Sequence, residues 1–410
     1  LSLVGSEMCI RDRVRNVYKE CKGVAKGNCL TKEQRLSLQM DEFMNRRYEF
    51  RYNTQIGEVE YRERFSFQFY FHPIDKRAQN SIMLDAQSEG IGVWDRDIDR
   101  YLHSNRVPIY NPLEEFLFHL PHWDGKDRIH ALANRVPCNN PHWELLFHRW
   151  FLNMVSHWRG VDKMHANSTS PILVGVQGTH KSTFCREMIP PALRAYYTDS
   201  IDFSQKRDAE LYLNRFALIN IDEFDQITLT QQGFLKHILQ KPVVNLRKPH
   251  GRSVLELQRY ASFIGTSNQK DLLTDPSGSR RFICIEVTGN IDTTQPIDYE
   301  QLYAQAMHEI YHGERYWFDS EDEQIMTENN REFEQTPAML QLFYQYFKAA
   351  QTKEEGEFLT PVEILNYLKK KSGISLSDNK VYHFGRLLQK CGITSKHTYK
   401  GTVYQVIKVS

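Results

Sequence analysis

The chain has 410 residues, 40% of them hydrophobic and 25% charged, with a formal net charge of +1. That is enough apolar material for two or three globular domains and rules out a disordered or fibrous chain. No run approaches the roughly 18 apolar residues of a membrane span, so no membrane segment is expected. The seven cysteines (9, 21, 29, 138, 185, 284 and 391) contain no C-x-x-C pair and no metal-site spacing, which suits free thiols in a reducing cytoplasm.

In chain order, residues 1–13 resemble translated sequencing-adapter read-through (Ser2 to Asp12) and are set aside as non-native, leaving any native start outside the sequence. Residues 14–74 form a basic region. Thr31 is placed to cap a helix over Lys32–Asn45 that carries Leu36, Leu38, Met40 and Phe43. Tyr48, Phe50 and Tyr52 alternate with Glu49 and Arg51, and a turn over 53–57 precedes Val59 and Tyr61, the pattern of a hairpin. Its aromatics fit a half-buried sheet face better than a platform for stacked bases. Residues 75–160 read as a helical collar, in which Trp143, Leu146, Phe147, Trp150, Phe151, Met154 and Trp158 repeat at helical spacing and are assigned to the core.

Residues 161–315 hold the densest chemistry. Leu173 to Thr183 reads as an apolar run, a glycine-rich turn and a Lys-Ser pair opening a helix, the layout of a phosphate-binding loop. Gly175, Gly178, Thr179, His180, Lys181, Ser182 and Thr183 are the expected ATP-binding set. Lys181 would meet the β- and γ-phosphates, and Ser182 with Asp222 would hold Mg²⁺. The pattern G-x-x-x-x-G-K-[ST] has glycine where this chain has His180, so the loop is a variant. The imidazole is accommodated either as a cation near the phosphates or as a neutral group swung outward, and the second is expected because a helix N-terminus opposes protonation.

The strand-length run Phe216 to Ile221 ends in Asp222 and Glu223, an acidic pair fit for metal binding and for general-base work by Glu223, or for a simple helix cap. Ala261 to Asn268 reads as a second buried strand with a polar tip, and Asn268 could orient the attacking water or merely make a turn. Arg280 and Arg281 follow a turn at 275–279 and suit a finger on transition-state charge supplied to a neighbouring subunit, or a solvated face.

Residues 316–357 include a helix-like, acidic stretch over Asp319–Glu334, read as surface or linker, preceded by a helix over Tyr299–His312. Residues 358–410 form a separate basic unit. Thr360-Pro361-Val362-Glu363 is a capping box opening a helix through Lys371, Gly373 ends it, Ser377–Lys390 makes a second helix, and Thr398–Val409 a hairpin turning at Lys400-Gly401. That is the economy of a winged-helix-like domain. From residue 361 onward nine Lys/Arg stand against two acidic residues, a net of +7. Lys369, Lys370, Lys371, Lys380, Arg386, Lys390, Lys396 and Lys400 are candidates for phosphate-backbone contacts, against the alternative of docking on the acidic stretch.

From about Tyr101 to Gly289 the chain resembles the virulence-associated protein E family, P-loop ATPases of phages and mobile elements related to superfamily 3 helicases. The resemblance is carried by Tyr110-Asn111-Pro112, Leu120-Pro121-His122-Trp123-Asp124-Gly125-Lys126-Asp127-Arg128-Ile129, the Gly175–Ser182 loop, Ile221-Asp222-Glu223-Phe224, Gly265-Thr266-Ser267-Asn268 and Gly278-Ser279-Arg280-Arg281-Phe282. It implies that Lys181, Ser182, Asp222, Glu223, Asn268 and the arginine pair take the two Walker-motif, sensor and finger roles.

The expected fold is therefore α/β: a P-loop NTPase core on a central parallel sheet, a mainly helical region before it and a small winged-helix-like α+β domain after it. The expected function is an ATP-dependent hydrolase of helicase type, a cytoplasmic hexameric ring acting on single-stranded DNA in replication of a mobile element. A nucleotide-dependent DNA-binding or assembly switch with little turnover is the rival. A small-molecule phosphotransferase would need an acceptor lid, and the sequence shows no sign of one.

Overall fold

Thr31 starts the first helix as the sequence predicts: in the computed structural model its hydroxyl accepts from the Gln34 amide at 3.2 Å, and the Gln34 side chain accepts from the Thr31 amide at 2.9 Å. The structure describes residues 30–67, 69–160, 164–246, 255–274, 280–335, 338–350, 356–373, 381–399 and 401–409. Residues 1–29, the adapter-like segment among them, lie outside that set. Two compact units are present, one ending at His119 and the other beginning at Leu120. The helices of the 75–160 stretch are shared between them.

In the first unit, α1 (Lys32–Arg47) runs two residues past its expected end and buries Met40, Phe43 and Met44. β1 (Tyr48–Asn53) and β2 (Glu58–Glu63) form the hairpin, with Tyr48 opposite Glu63 and Tyr52 opposite Val59. β3 (His72–Pro73) follows, then α2 (Lys76–Ser88), α3 (Asp95–Leu102), β4 (Ile109–Tyr110) and α4 (Pro112–Phe118), and the sheet order is β3-β2-β1-β4. The Tyr48 ring is buried beside Phe50 and Tyr61, at centroid distances of 5.8 and 6.3 Å, so these aromatics form a sheet face packed on the unit's core.

The second unit opens with α5 (Arg128–Ala133) and α6 (Trp143–Trp158). All seven apolar residues assigned to the core on α6 are buried, at 2% exposure or less. β5 (Ser170–Val174), α7 (Lys181–Glu187), β6 (Tyr197–Thr198), α8 (Lys206–Arg215), β7 (Leu218–Ile221), α9 (Leu229–Leu239), the hairpin strands β8 (Val243–Leu246) and β9 (Leu255–Gln258), β10 (Ser262–Ser267), β11 (Phe282–Glu286) and α10 (Tyr299–Tyr311) follow. Five strands form one parallel sheet in the order β11-β5-β10-β7-β6. Every residue of β5, β7 and β10 is buried, which explains why their apolar residues do not alternate with exposed polar ones. The protein is thus mixed α/β with a parallel sheet at the centre of its larger unit.

The acidic stretch is not a bare surface. It forms α11 (Ser320–Asn329) and a single 3₁₀ turn, with Met326, Asn330 and Phe333 buried. Asn329 donates to the Cys284 carbonyl at 2.6 Å and Asn330 to the Phe282 carbonyl at 2.7 Å, covering the free edge of β11.

The C-terminal core reaches back beyond Phe358 to α12 (Ala338–Tyr346), whose Leu340 and Phe343 pack with Phe347, Ile364, Leu368, Phe384 and Leu388. β12 (Phe347–Ala349), β13 (Glu357–Leu359), α13 (Pro361–Ser372), α14 (Val381–Lys390), β14 (Ser395–Thr398) and β15 (Gly401–Lys408) complete it. Thr360 and Glu363 make the expected capping box, and Gly373 ends α13 in the left-handed region at φ 67°. The start of the second helix at Ser377 falls outside the described residues, as does the hairpin tip at Lys400. Two short strands absent from the sequence reading, β12 and β13, pair with β15.

Candidate functional site

Four of the sequence-selected side chains converge where β5, β7 and β10 end. β5 delivers the glycine turn, which passes through Gly178 at φ 88° and His180 at φ 66° before α7 begins. The Lys181 ammonium is buried and donates to the carbonyls of Gly175 and Val176 at 2.7 and 2.8 Å, to Asn268 Oδ1 at 3.2 Å and to Thr179 Oγ1 at 3.4 Å. Burial lowers its pKa, while Asp222 and Asp225 act in the opposite sense. Ser182 donates its hydroxyl to Asp222 Oδ1 at 3.0 Å, and Thr266 donates to the same oxygen. Lys181, Ser182, Asp222 and Asn268 therefore form one cluster, brought together because Gly265 lies opposite both Ile172 and Ile221 in the sheet register.

The glycines have distinct duties. A Cβ on Gly175 would stand 3.0 Å from the Val287 carbonyl, so the loop passes hard against the strand beside it. Position 178 has open space but a left-handed backbone. His180 adopts that same backbone class with a Cβ, caps α7 with no side-chain hydrogen bond, and is exposed. Thr179 is buried and Thr183 exposed on the first turn of α7.

Glu223 also has a left-handed backbone, φ 53°, and is exposed beside Asp222. The two line a cavity of about 190 Å³ with Asp199, Phe203 and Gln226. Among the described residues no group of three or more His, Cys, Asp or Glu is placed to hold a metal. The Ser182 and Asp222 oxygens are donors of the hard type Mg²⁺ prefers, and could hold it only with ligand oxygens completing the shell.

Sequence reasoning missed two members. Asp225 accepts from Ser267 Oγ at 2.8 Å and from the Asn268 amide at 3.4 Å, fixing the tip of β10. Thr266 bridges β10 to Asp222. The signal for Asp225 was its place three residues after Asp222, on the turn that follows β7.

The arginine pair stands elsewhere. Arg280 and Arg281 precede β11, whose first residue Phe282 lies opposite Ser170, whereas the glycine turn follows the last residue of β5. Five residues at about 3.3 Å each put the two ends roughly 16 Å apart. Arg280 pairs with Glu323 at 3.0 Å.

The Trp123–Arg128 block clamps α5 to α10. Arg128 donates to Asp124 at 2.6 and 2.9 Å and to Asp298 at 3.1 Å, and the Asp124 amide donates to Gln301 at 2.9 Å. Trp123 donates to the Lys126 carbonyl and packs against His308 with the rings tilted by 48°.

In the basic tail, Lys369, Lys370 and Lys371 occupy the last turn of α13, and Arg386 is exposed on α14. Lys396 on β14 lies over the Phe358 ring at 3.5 Å. Lys380 and Lys400 lie outside the described residues, as does the Lys390 side chain. Cys138, Cys185, Cys284 and Cys391 are free thiols, and no helix among the described residues is long and apolar enough to cross a membrane.

The parallel α/β core and its glycine-turn cluster define the class, and sequence comparison supplies the family. The chain belongs to the family of the virulence-associated protein E-like domain, whose model matches residues 117–335. A domain of unknown function, DUF3874, described from a B. theta gene, matches residues 336–406. Among solved structures, the apo C-terminal region of NrS-1 is similar at 12% identity and a TM-score of 0.46, over 91% of this chain and 98% of that one. Two further apo structures of that region give 11% identity each, with TM-scores of 0.44 and 0.43, over 90% and 88% of this chain and 99% and 96% of theirs. No curated protein matches the sequence.

Proposed function

We propose that the chain is a P-loop ATPase of helicase type that acts on DNA during replication of a phage or mobile element. The observation that carries this reading is the convergence of Lys181, Ser182, Asp222 and Asn268 at the carboxyl ends of adjacent parallel strands, where open α/β sheets bind ligands. Lys181 offers the ammonium that a triphosphate's β and γ oxygens would meet. Mg²⁺ bound at Ser182 and Asp222 would neutralise charge on those oxygens. Glu223, exposed beside Asp222, would take the proton of the attacking water, and Asn268, anchored through Asp225, would orient that water.

Arg280 and Arg281 are too far from Lys181 to complete this site in their own chain. Their place at the amino end of the edge strand β11, away from the ends where the glycine turn lies, supports a finger offered to the next subunit of a ring, with a hexamer as the proposed assembly. The order helix, strand, strand, helix, helix, strand, strand from α12 to β15 supports a winged-helix-like tail, with Lys370, Lys371 and Arg386 as its proposed phosphate contacts. The test is ATP hydrolysis with and without single-stranded DNA, in the parent and in Glu223→Gln.

One observation favours the rival reading, a nucleotide-dependent DNA-binding or assembly switch. His180 holds a left-handed backbone at the turn into α7, a conformation costly for a residue with a Cβ. Tight ATP binding with little turnover, unaffected by DNA, would support it.

A further inference from the structure

Beyond β11 the chain runs on beside the glycine turn. The Val287 amide donates to the Val174 carbonyl at 2.7 Å, and the Ile291 amide donates to the Thr179 carbonyl at 3.1 Å. On its other side the same segment is tied to the chain just after α5, through the Thr288 amide to the Pro137 carbonyl at 2.8 Å and the Asp292 amide to the Arg135 carbonyl at 3.1 Å. Between these seams lies a cavity of about 490 Å³, bordered by Leu132, Asn134, Arg135, Pro137, Asn290 and Asp292. Asn290 and Asp292 flank Ile291, so the cavity begins one residue from a direct contact with the turn.

Size and position separate this cavity from the one beside Glu223. Small-molecule sites hold roughly 300–1,000 Å³; about 490 Å³ falls in that range and about 190 Å³ falls below it. In the order β11-β5-β10-β7-β6 the larger cavity lies on the β11 side of the turn and the smaller on the β7-β6 side. The larger cavity lies on the side of the turn away from Asp222, where the nucleoside of a triphosphate would lie if its outermost phosphate faced Asp222.

The polar groups there divide into two kinds. The Arg135 guanidinium donates to the carbonyls of Gln295 and Pro296 at 2.8 and 3.3 Å, and the Asp292 carboxylate accepts from Thr294 and Gln295, so both hold the walls in place. The Asn134 and Asn290 carboxamides are exposed and have no side-chain partner among the described residues. A carboxamide carries a donor and an acceptor side by side, the pair that meets the amino group and N7 of adenine; on that edge guanine presents two acceptors, N7 and O6, and leaves one half of the carboxamide unmatched. Leu132 and Pro137 supply apolar wall for the ring.

We propose that this cavity is the nucleoside subsite and that Asn134 and Asn290 read the base, favouring adenine. The proposal rests on the reading of the glycine turn as a triphosphate site. It is tested on the full chain by measuring affinities for ATP, GTP and inorganic tripolyphosphate with Mg²⁺. The parent is compared with the double variant Asn134→Ala, Asn290→Ala and with Ala131→Trp, which fills the cavity.

The expected result is an ATP affinity about tenfold lower or more in both variants, the scale of one bidentate amide–base contact. Preference for ATP over GTP is lost in the double variant, and tripolyphosphate affinity is unchanged, which also certifies the fold. ATP affinity unchanged in both variants overturns the subsite and leaves the triphosphate reading intact. Parallel losses of ATP and tripolyphosphate overturn it too, because the cavity then acts through the turn. A parent that binds neither ATP nor tripolyphosphate refutes the triphosphate reading itself.

Discussion

His180 concentrates the energetics of the site. A left-handed backbone costs an L-residue roughly 1–2 kcal/mol, and glycine there would remove that strain while adding back about 0.5–1 kcal/mol of unfolded-chain entropy. His180→Gly should therefore stabilise the protein by at most about 1.5 kcal/mol in denaturant unfolding. Affinity is the sharper readout: the glycine variant is expected to bind ATP more tightly than the parent at pH 8 and to hydrolyse it faster. A glycine variant that binds no better would contradict this. Lys181→Ala should abolish tight ATP binding, and Glu223→Gln should keep binding while cutting turnover about a hundredfold or more, the scale of a lost general base. Parent-like turnover in either variant would remove these two residues from the mechanism.

Lys181, Ser182, Asp222 and Asn268 were legible in the sequence because each sits at a fixed offset from a buried strand or a glycine turn. Asp225 and Thr266 were not, since their roles exist only once the register sets Gly265 opposite Ile221. No local pattern announces that pairing.

Among the elements, β10 shows how packing sets the site. A Cβ on Gly265 would lie 2.8 Å from Ile172 Cδ1 and 3.2 Å from the Ile221 carbonyl, between the two neighbouring strands. Gly265→Ala should cost about 1–3 kcal/mol of stability, as overpacking does. It should also weaken ATP binding, because Thr266 and Asn268 hang from the displaced strand. Denaturant midpoints and ATP titration of this variant check the point; unchanged values for both would show that β10 has slack. The long periodic helices and the buried strands were readable from the sequence. The β8–β9 hairpin, β12 and β13 were not, because strands of three or four residues carry too little alternation. Acidic composition hid the packing of Asn330 and Phe333 against β11, since those two residues are neutral positions inside a charged run.

For the whole molecule, the basic tail and the α/β core make separable claims. The tail's hydrophobic cluster includes Leu340 and Phe343, so it is removed cleanly only from residue 336 onward, not from 358. Deleting residues 336–410 should lower DNA affinity and flatten its dependence on salt, because fewer counterions are released. Titration at two salt concentrations reads this directly, and equal slopes with and without the tail would assign its charge to docking within the protein. The core's claim is turnover coupled to DNA, and steady-state ATP hydrolysis with Mg²⁺, in the presence and absence of single-stranded DNA, tests it most directly. The expected result is hydrolysis that single-stranded DNA accelerates and that Glu223→Gln slows about a hundredfold or more; a parent rate no higher than that of Glu223→Gln, with DNA present, would contradict a DNA-coupled ATPase.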